Sequence, residues 1–481
     1  MIFDIAIFAI YVVLVFLVGL YFYRKNKTSD DYYVAGRNVS SWHIGLSVVA
    51  TDVGGGFSIG LGGLGFTMGL SGSWLLFTGL IGAWLAAVVL IPKVYQLPGI
   101  KKLTTLPQIF EHFYGKRVAI LAGIITTIGY LGFTSSQIIA GAKLASGTFV
   151  GFSFTHAVLV MGVVAVGYTI LGGLKAVIYT DTFQWIILMA GLLFAGIPFA
   201  FEAIGGWEAI NAILDKDYLT LTNLTWRDLV NWSVTIIPIW FVGMTLYQRI
   251  FASRGEKQAK KAWFIAGLFE WPMMAFLGVI LGLFGRVAYE QGLFEVVGFA
   301  ASAEMDPELG LPVLLRTVLP HGLMGLVLAA YFSAVMSTAD SCLMASSGSF
   351  LTDILRFKDG GDEEMDKKSL RASQLATLVL GVISLVIALS LENVLEAMLF
   401  SYAFMVSGLF IPIVGAFYWK KSTRTGAFVA MIAGGVVTTS LTLLKIKWLG
   451  LDPNLYGIIV AALLFFGIGL IKNQRKNGNN L

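Results

Sequence analysis

The sequence predicts an all-α polytopic membrane protein, and three observations predict it. Hydrophobic residues make up 57% of the 481 and charged residues only 13%, against roughly 25% charged in a soluble domain. Apolar stretches of about 20 residues recur along the whole chain, each long enough to cross the hydrocarbon as a helix. Lysine and arginine gather in the short segments between alternate stretches, as they do in loops on one side of a membrane. The alternating pattern of a transmembrane barrel is absent. Backbone groups in lipid must be satisfied within their own segment, which leaves helices.

The expected spans, about thirteen by the length a bilayer requires, cover 4–23, 41–70, 73–98, 118–150, 155–174, 182–202, 227–247, 262–287, 311–350, 371–391, 393–418, 425–446 and 454–471. The first reads MIFDIAIFAIYVVLVFLVGLYFY and is followed by RKNK. It is too long for a signal-peptide core and lacks a basic leader and a small-residue cleavage site, so it is expected to stay as a helix. With the N-terminus outside, the inner loops hold the basic clusters of 24–37, 101–117, 249–261, 356–371, 420–424 and 472–476, with Lys175. The outer loops hold only Lys216, Arg227, Arg286, Lys445 and Lys447. This asymmetry predicts a multi-pass protein of the cell (inner or plasma) membrane, N-terminus outside and C-terminus cytoplasmic.

The net charge of +5 does not imply a nucleic-acid partner, because the basic residues lie in short loops rather than on one face. The single cysteine, Cys342, excludes a disulfide framework and reads as a small packing residue. The segment 359–368 reads as a solvated charged linker. No loop is long enough for a soluble domain, so 1–481 is expected to be a single transmembrane unit. His43, His112, His156 and His321 are scattered, and no nucleophile–base motif is visible. The chain is therefore not expected to be an enzyme, and no cofactor is implied.

Two spans are interrupted. Gly54, Gly55 and Gly56 stand in a row in the second, and Pro238 and Gly243 fall within IIPIWFVGMTLY of the seventh. Glycine costs about 1 kcal/mol in a helix interior, and paired broken helices five spans apart point to an inverted-repeat transporter with a midplane site. For Gly60, Gly62, Gly63 and Gly65, tight helix packing is the better account.

A carboxylate inside the membrane requires a reason. Asp52 lies just before the glycine run, Asp181 within GGLKAVIYTDTFQW, and Asp340 within YFSAVMSTADSCLM. Each could instead be a helix-end residue facing water. Glu202, Glu392 and Glu396 read as helix-end residues, and Glu270, beside Trp271 and Pro272, is ambiguous. In the ninth span Ala334, Ser337 and Thr338 stand at i, i+3 and i+4 and share a face, which Asp340 and Ser341 extend by a turn. Hydroxyl and carbonyl oxygens suit a hard cation. The competing account is back-bonding of serine and threonine to their own i−4 carbonyls.

The stretches ATDVGGG at 50–56, GYTILGGLKAVIYTDTFQ at 167–184 and AVMSTADS at 334–341 resemble the sodium:solute symporter family, and the likeness runs from about residue 4 to 470. The resemblance implies a LeuT-type core of two inverted five-helix repeats, 41–202 and 227–418, with peripheral helices at 4–23 and 425–471. It implies a secondary active symporter that takes up a small organic solute with Na+ by alternating access. The partners are then sodium, the solute and the lipid bilayer, with Na+ the only metal and the coupling ion. The shared sodium site falls on Ala50, Val53, Ala334, Ser337 and Thr338. Asp52 matches an acidic position important for sodium in proline carriers. Asp181, Ser337, Asp340 and Ser341 match a second cation position of some members. Asp340 departs from the serine of sialic acid and proline carriers. Choline-like members share that aspartate, but Asp52 stands where they have tryptophan, so choline is not carried over. By position Phe57, Ser58, Ser73, Trp74, Trp240 and Thr245 border the central pocket. The alternatives are a proton-coupled carrier with Asp52, Asp181 or Asp340 titrating, and a non-transporting membrane sensor or channel.

Overall fold

The computed structural model describes residues 2–23, 29–52, 54–149, 153–299, 304–357 and 363–478. Sixteen helices carry the argument: α1 (Ile2–Tyr23), α2 (Ser41–Asp52), α3 (Gly55–Met68), α4 (Trp74–Leu85), α5 (Lys116–Thr148), α6 (Phe154–Gly191), α7 (Trp226–Val242) and α8 (Met244–Ala252). They continue with α9 (Glu256–Leu268), α10 (Ala275–Glu290), α11 (Gly310–Val318), α12 (Leu323–Ser349), α13 (Glu363–Ala388), α14 (Val394–Tyr418), α15 (Arg424–Leu443) and α16 (Pro453–Gly478). Among the described residues nine helices are long and apolar enough to cross a membrane, and ten when α7 and α8, bent by 40°, count as one span. Large apolar side chains such as Phe194 (76% exposed), Val163 (66%) and Leu463 (69%) cover the outside. A soluble monomer does not expose a belt of that kind.

The helix α12 lies at the centre. Every residue from Val327 to Ser349 is buried, and the helix packs along α5 and α6 and touches α2 and α3. A helix buried on all sides has no polar face to spare for solvent, so its serines, threonines and aspartate must find partners inside the protein.

The two expected breaks are present, with shifted bounds. The first is narrow: α2 ends at Asp52, Gly54 leaves helical geometry (φ −49°, ψ −172°) and α3 resumes at Gly55. In the second, Gly243 (φ −67°, ψ 114°) separates α7 from α8 while Pro238 stays inside α7. Proline has no N–H to give to the carbonyl four residues back. That carbonyl, Val234, accepts instead from Asn454 Nδ2 of α16 at 3.3 Å, so the helix runs through. The start of α2 and the end of α8 meet where the Val39 N–H, two residues before α2, donates to the Ala252 carbonyl at 3.1 Å.

Three expectations change. The ninth span is not continuous, because α11 ends at Val318 and α12 starts at Leu323. Asp4 of α1 accepts the Gly322 and Gly325 N–H groups at 2.7 and 3.0 Å, supplying the start of α12 with the acceptor its free donors need. The charged linker is shorter than expected, since α13 begins at Glu363; residues 358–362 lie outside the described residues. Finally, helical structure runs through 154–191, with apolar segments Phe154–Ile170 and Val177–Ala203 where two spans were expected.

Close approach explains the glycines of α3. A Cβ on Gly65 would lie 2.2 Å from the Val279 carbonyl, and one on Gly282 2.0 Å from that of Gly62. The backbones of α3 and α10 touch there, as small-residue interfaces in membranes allow.

Candidate functional site

The break in α2–α3 brings its oxygens to α12. Thr338 Oγ1 donates to the Ala50 carbonyl at 3.0 Å and to that of Ala334 at 3.2 Å. Three of the five residues read as a sodium shell thus meet at one hydroxyl, the Ala334 contact being the bond to its own i−4 carbonyl that the competing account expects. Gly54 is required there, since a Cβ would lie 1.7 Å from Thr338 Oγ1. Val53 lies outside the described residues. Ser337 turns the other way, and its hydroxyl donates to Asp181 Oδ1. Asp52 ends α2, buried, and accepts the Tyr402 hydroxyl of α14 at 3.0 Å.

Asp181 belongs to a second cluster whose centre is Arg249. The sequence reading counted Arg249 among inner-loop residues, and that is corrected: it lies on α8, fully buried. Helix resumes after Gly243, so the residues beyond the break turn back into the protein. The guanidinium donates from Nε to Ser47 Oγ (3.0 Å) and from Nη1 to the Thr245 carbonyl (3.2 Å). From Nη2 it donates to Thr51 Oγ1 (2.5 Å), Ser341 Oγ (2.9 Å) and Asp181 Oδ2 (3.4 Å). Ser47 Oγ donates in turn to Asp181 Oδ2 at 2.5 Å. Asp181 and Ser341, read as parts of a second cation position, therefore face a cation that the chain supplies. Asp340, also assigned there, is turned to Thr169, whose hydroxyl donates to Oδ1 at 2.5 Å, and among the described residues Oδ2 has no hydrogen-bond partner.

The residues expected to border the pocket are not in one place. Thr245 sits at the second break, where its N–H and hydroxyl meet Tyr130 Oη of α5 at 3.1 and 3.0 Å. A helix start interrupted inside the membrane needs such an acceptor. Ser58 is buried and caps back to the Gly54 carbonyl at 3.4 Å, and Ser73 is buried at the start of α4. Trp74 donates to the Leu221 carbonyl of the loop before α7. Trp240 packs between helices, against Trp263 at 6.3 Å and over Gly82 of α4. The side chain of Phe57 lies outside the described residues.

Besides Arg249, sequence reasoning missed Ser47, Thr51, Tyr130 and Tyr402. Serine, threonine and tyrosine in spans are too common to single out. Arg249 carried a usable signal: an aspartate placed inside a membrane requires a partner.

Two broken helices, joined at one pair of ends and lined up against a largely buried, hydroxyl-rich helix, define a secondary carrier of the LeuT type. The fold supports this: a Na+-coupled sialic acid symporter in its substrate-bound outward-open state superposes with a TM-score of 0.79 over 98% of both chains, at 22% identity. Mhp1, a nucleobase-cation-symport-1 family transporter, superposes with a TM-score of 0.56 over 90% of this chain and 92% of its own, at 13% identity. The model of the sodium:solute symporter family matches residues 32–434. Sodium/glucose cotransporter 1 of Oryctolagus cuniculus is 27% identical over 91% of this chain and 71% of its own. The high-affinity proline transporter PutP of Bacillus subtilis is 28% identical over 87% and 88%. The chain belongs to the sodium:solute symporter family, a family of membrane transporters rather than enzymes.

Proposed function

We propose that this protein takes up a small organic solute together with one sodium ion by alternating access. The observation that carries the reading is the meeting of the Thr338 hydroxyl with the Ala50 and Ala334 carbonyls at a helix break. Oxygen atoms of this kind suit a hard cation. A sodium ion bound there would take up the same oxygens and tie α2 to α12. Carbonyls freed at an interrupted helix are the usual source of such ligands. Ser337 would join the shell by turning away from Asp181.

Coupling requires that sodium and solute each favour the same conformational state. Sodium at Thr338 holds α12 against the broken helix, and the solute would bind on the other side of that break, near Asp52. One sodium rather than two is proposed because Arg249 already supplies the positive charge beside Asp181. The repeats are proposed to span 41–202 and 227–418, each opening with one of the two broken helices. The N-terminus is placed outside and the C-terminus in the cytoplasm on the distribution of lysine and arginine. That distribution survives the reassignment of Arg249.

The test is uptake by proteoliposomes holding the purified protein, with an inward sodium or potassium gradient, over candidate solutes drawn from sugars, amino acids and amines. Sodium-dependent accumulation of one solute is expected. Accumulation driven equally well in potassium by a pH gradient would replace sodium with protons.

A further inference from the structure

Four carboxylates and one guanidinium are buried around the two breaks: Asp52, Asp181, Glu270, Asp340 and Arg249. Arg249 reaches only one of the four, Asp181, and Asp340 rests on Thr169. Asp52 and Glu270 remain, and their carboxylates lie beside each other. Asp52 receives the Tyr402 hydroxyl. Glu270 is 0% exposed, and among the described residues its oxygens meet no hydrogen-bond donor other than a proton shared with Asp52.

Glu270 is held in this position by local structure. It lies in the wide helical turn Phe269–Met274 between α9 and α10, where Trp271 leaves helical geometry (φ −136°, ψ 126°). Its Oε2 occupies space left by Gly79 of α4, where a Cβ would come within 2.1 Å. The same two segments set the ring of Trp271 edge-on to that of Phe77, with centroids 5.0 Å apart. An acid in the membrane interior without a donor is expensive and needs a counter-charge. Two carboxylates side by side repel unless a cation or a proton lies between them. A sodium ion at Ala50 and Thr338 offsets one negative charge of this pair and leaves the other.

We propose that Glu270, with Asp52, receives a positively charged group of the transported solute, so that the cargo is an organic cation bearing an ammonium or guanidinium group. The proposal rests on the symport reading and adds the charge of the solute to it. An ammonium brings several donors and no acceptor, which suits carboxylate oxygens that have none. The rings of Trp271 and Phe77 offer the apolar, π-rich wall on which such a cation is favoured.

The test uses the purified full chain in detergent, melted in sodium or potassium with one probe at a time. Ethanolamine, choline, putrescine and agmatine are the cationic probes; glucose, proline and N-acetylneuraminate are the controls. At least one cationic probe is expected to raise the melting temperature in sodium and not in potassium. Glu270→Gln is expected to lose that shift and Glu270→Asp to keep part of it, while both retain the shift given by sodium alone, which shows that they fold. The proposal is overturned if only a control stabilises, if Glu270→Gln keeps the cation shift, or if sodium stabilises and no cationic probe does. In the last case sodium-driven proton release into the medium would identify a shared proton instead. Absence of any sodium effect, alone or with any probe, would overturn the symport reading itself.

Discussion

Removing the guanidinium of Arg249 tests the assignment of the second cluster. Its Nη2 lies 3.4 Å from Asp181 Oδ2, and both side chains are fully buried. At that separation, with an effective dielectric of about 20, the Coulomb attraction is about 5 kcal/mol. Arg249→Gln leaves Asp181 uncompensated, and losing one partner of a buried pair costs about 3–5 kcal/mol. Asp181→Asn leaves the guanidinium uncompensated and belongs in the same range. The double variant has no unpaired charge, so its cost should fall short of the sum of the singles by at least about 1.5 kcal/mol, the lower end for close charge pairs.

Unfolding in mixed detergent micelles, followed for the four proteins in sodium and in potassium, gives these differences. Sodium adds a second readout. In Arg249→Gln the Asp181 carboxylate faces the hydroxyls of Ser47, Ser337 and Ser341, all of which bonded it or Arg249 before. That arrangement suits sodium, so sodium should stabilise this variant by more than it stabilises wild type and should give Asp181→Asn/Arg249→Gln no such extra gain. Wild-type transport should then depend on sodium with a Hill coefficient near one. Additive single costs, together with a wild-type Hill coefficient of two, would refute the idea that Arg249 takes the place of a second ion.

Thr338→Ala should raise the sodium concentration for half-maximal transport tenfold or more, since it removes the hydroxyl that meets Ala50 and Ala334; Ser337→Ala should raise it less, and the reverse order would exchange their roles. Gly54→Ala should abolish sodium-dependent uptake while the protein still reaches the membrane, because the added Cβ would lie 2.7 Å from the Ala50 carbonyl as well as against Thr338; normal uptake would mean the break does not hold the ion. A cysteine placed at Lys216 should be labelled by an impermeant reagent from outside and a C-terminal reporter should be cytoplasmic; labelling only after permeabilisation would invert the map.

Where sequence patterns have a physical period or a steric cost, they located the structure well. Apolar length gave the membrane class but overcounted the spans, about thirteen against nine or ten among the described residues, while the glycine run marked the first break to within two residues, because glycine in mid-membrane is tolerated only for a reason. The shared face of Ala334 and Thr338 followed from helix geometry alone. Pro238 misled, because its effect is decided by a residue more than two hundred positions away: Asn454 accommodates it. The unbroken reading of 311–350 failed for the same kind of reason, since the start of α12 is held by Asp4 from the first helix.

Charge was the hardest property to read, and the cause is the broken helix itself. In a continuous span the first arginine after the apolar run marks the membrane boundary, and positive residues beyond it count as loop. A helix that stops at Gly243 and restarts redirects its following turn, so Arg249 is swung inward to Asp181 on α6. The same event gives Asp181 its counter-charge inside the protein. Lys143 shows the principle at the far end of α5, where it pairs with Asp306 (2.5 Å) and Glu308 (2.7 Å), and Glu308 also accepts the Val394 and Leu395 N–H groups that open α14. Asp4 and Glu308 thus have donors from helix starts, and Glu308 has Lys143 as well. Glu270 has neither and faces the carboxyl group of Asp52 instead, which is why its partner is the one to look for in the transported solute.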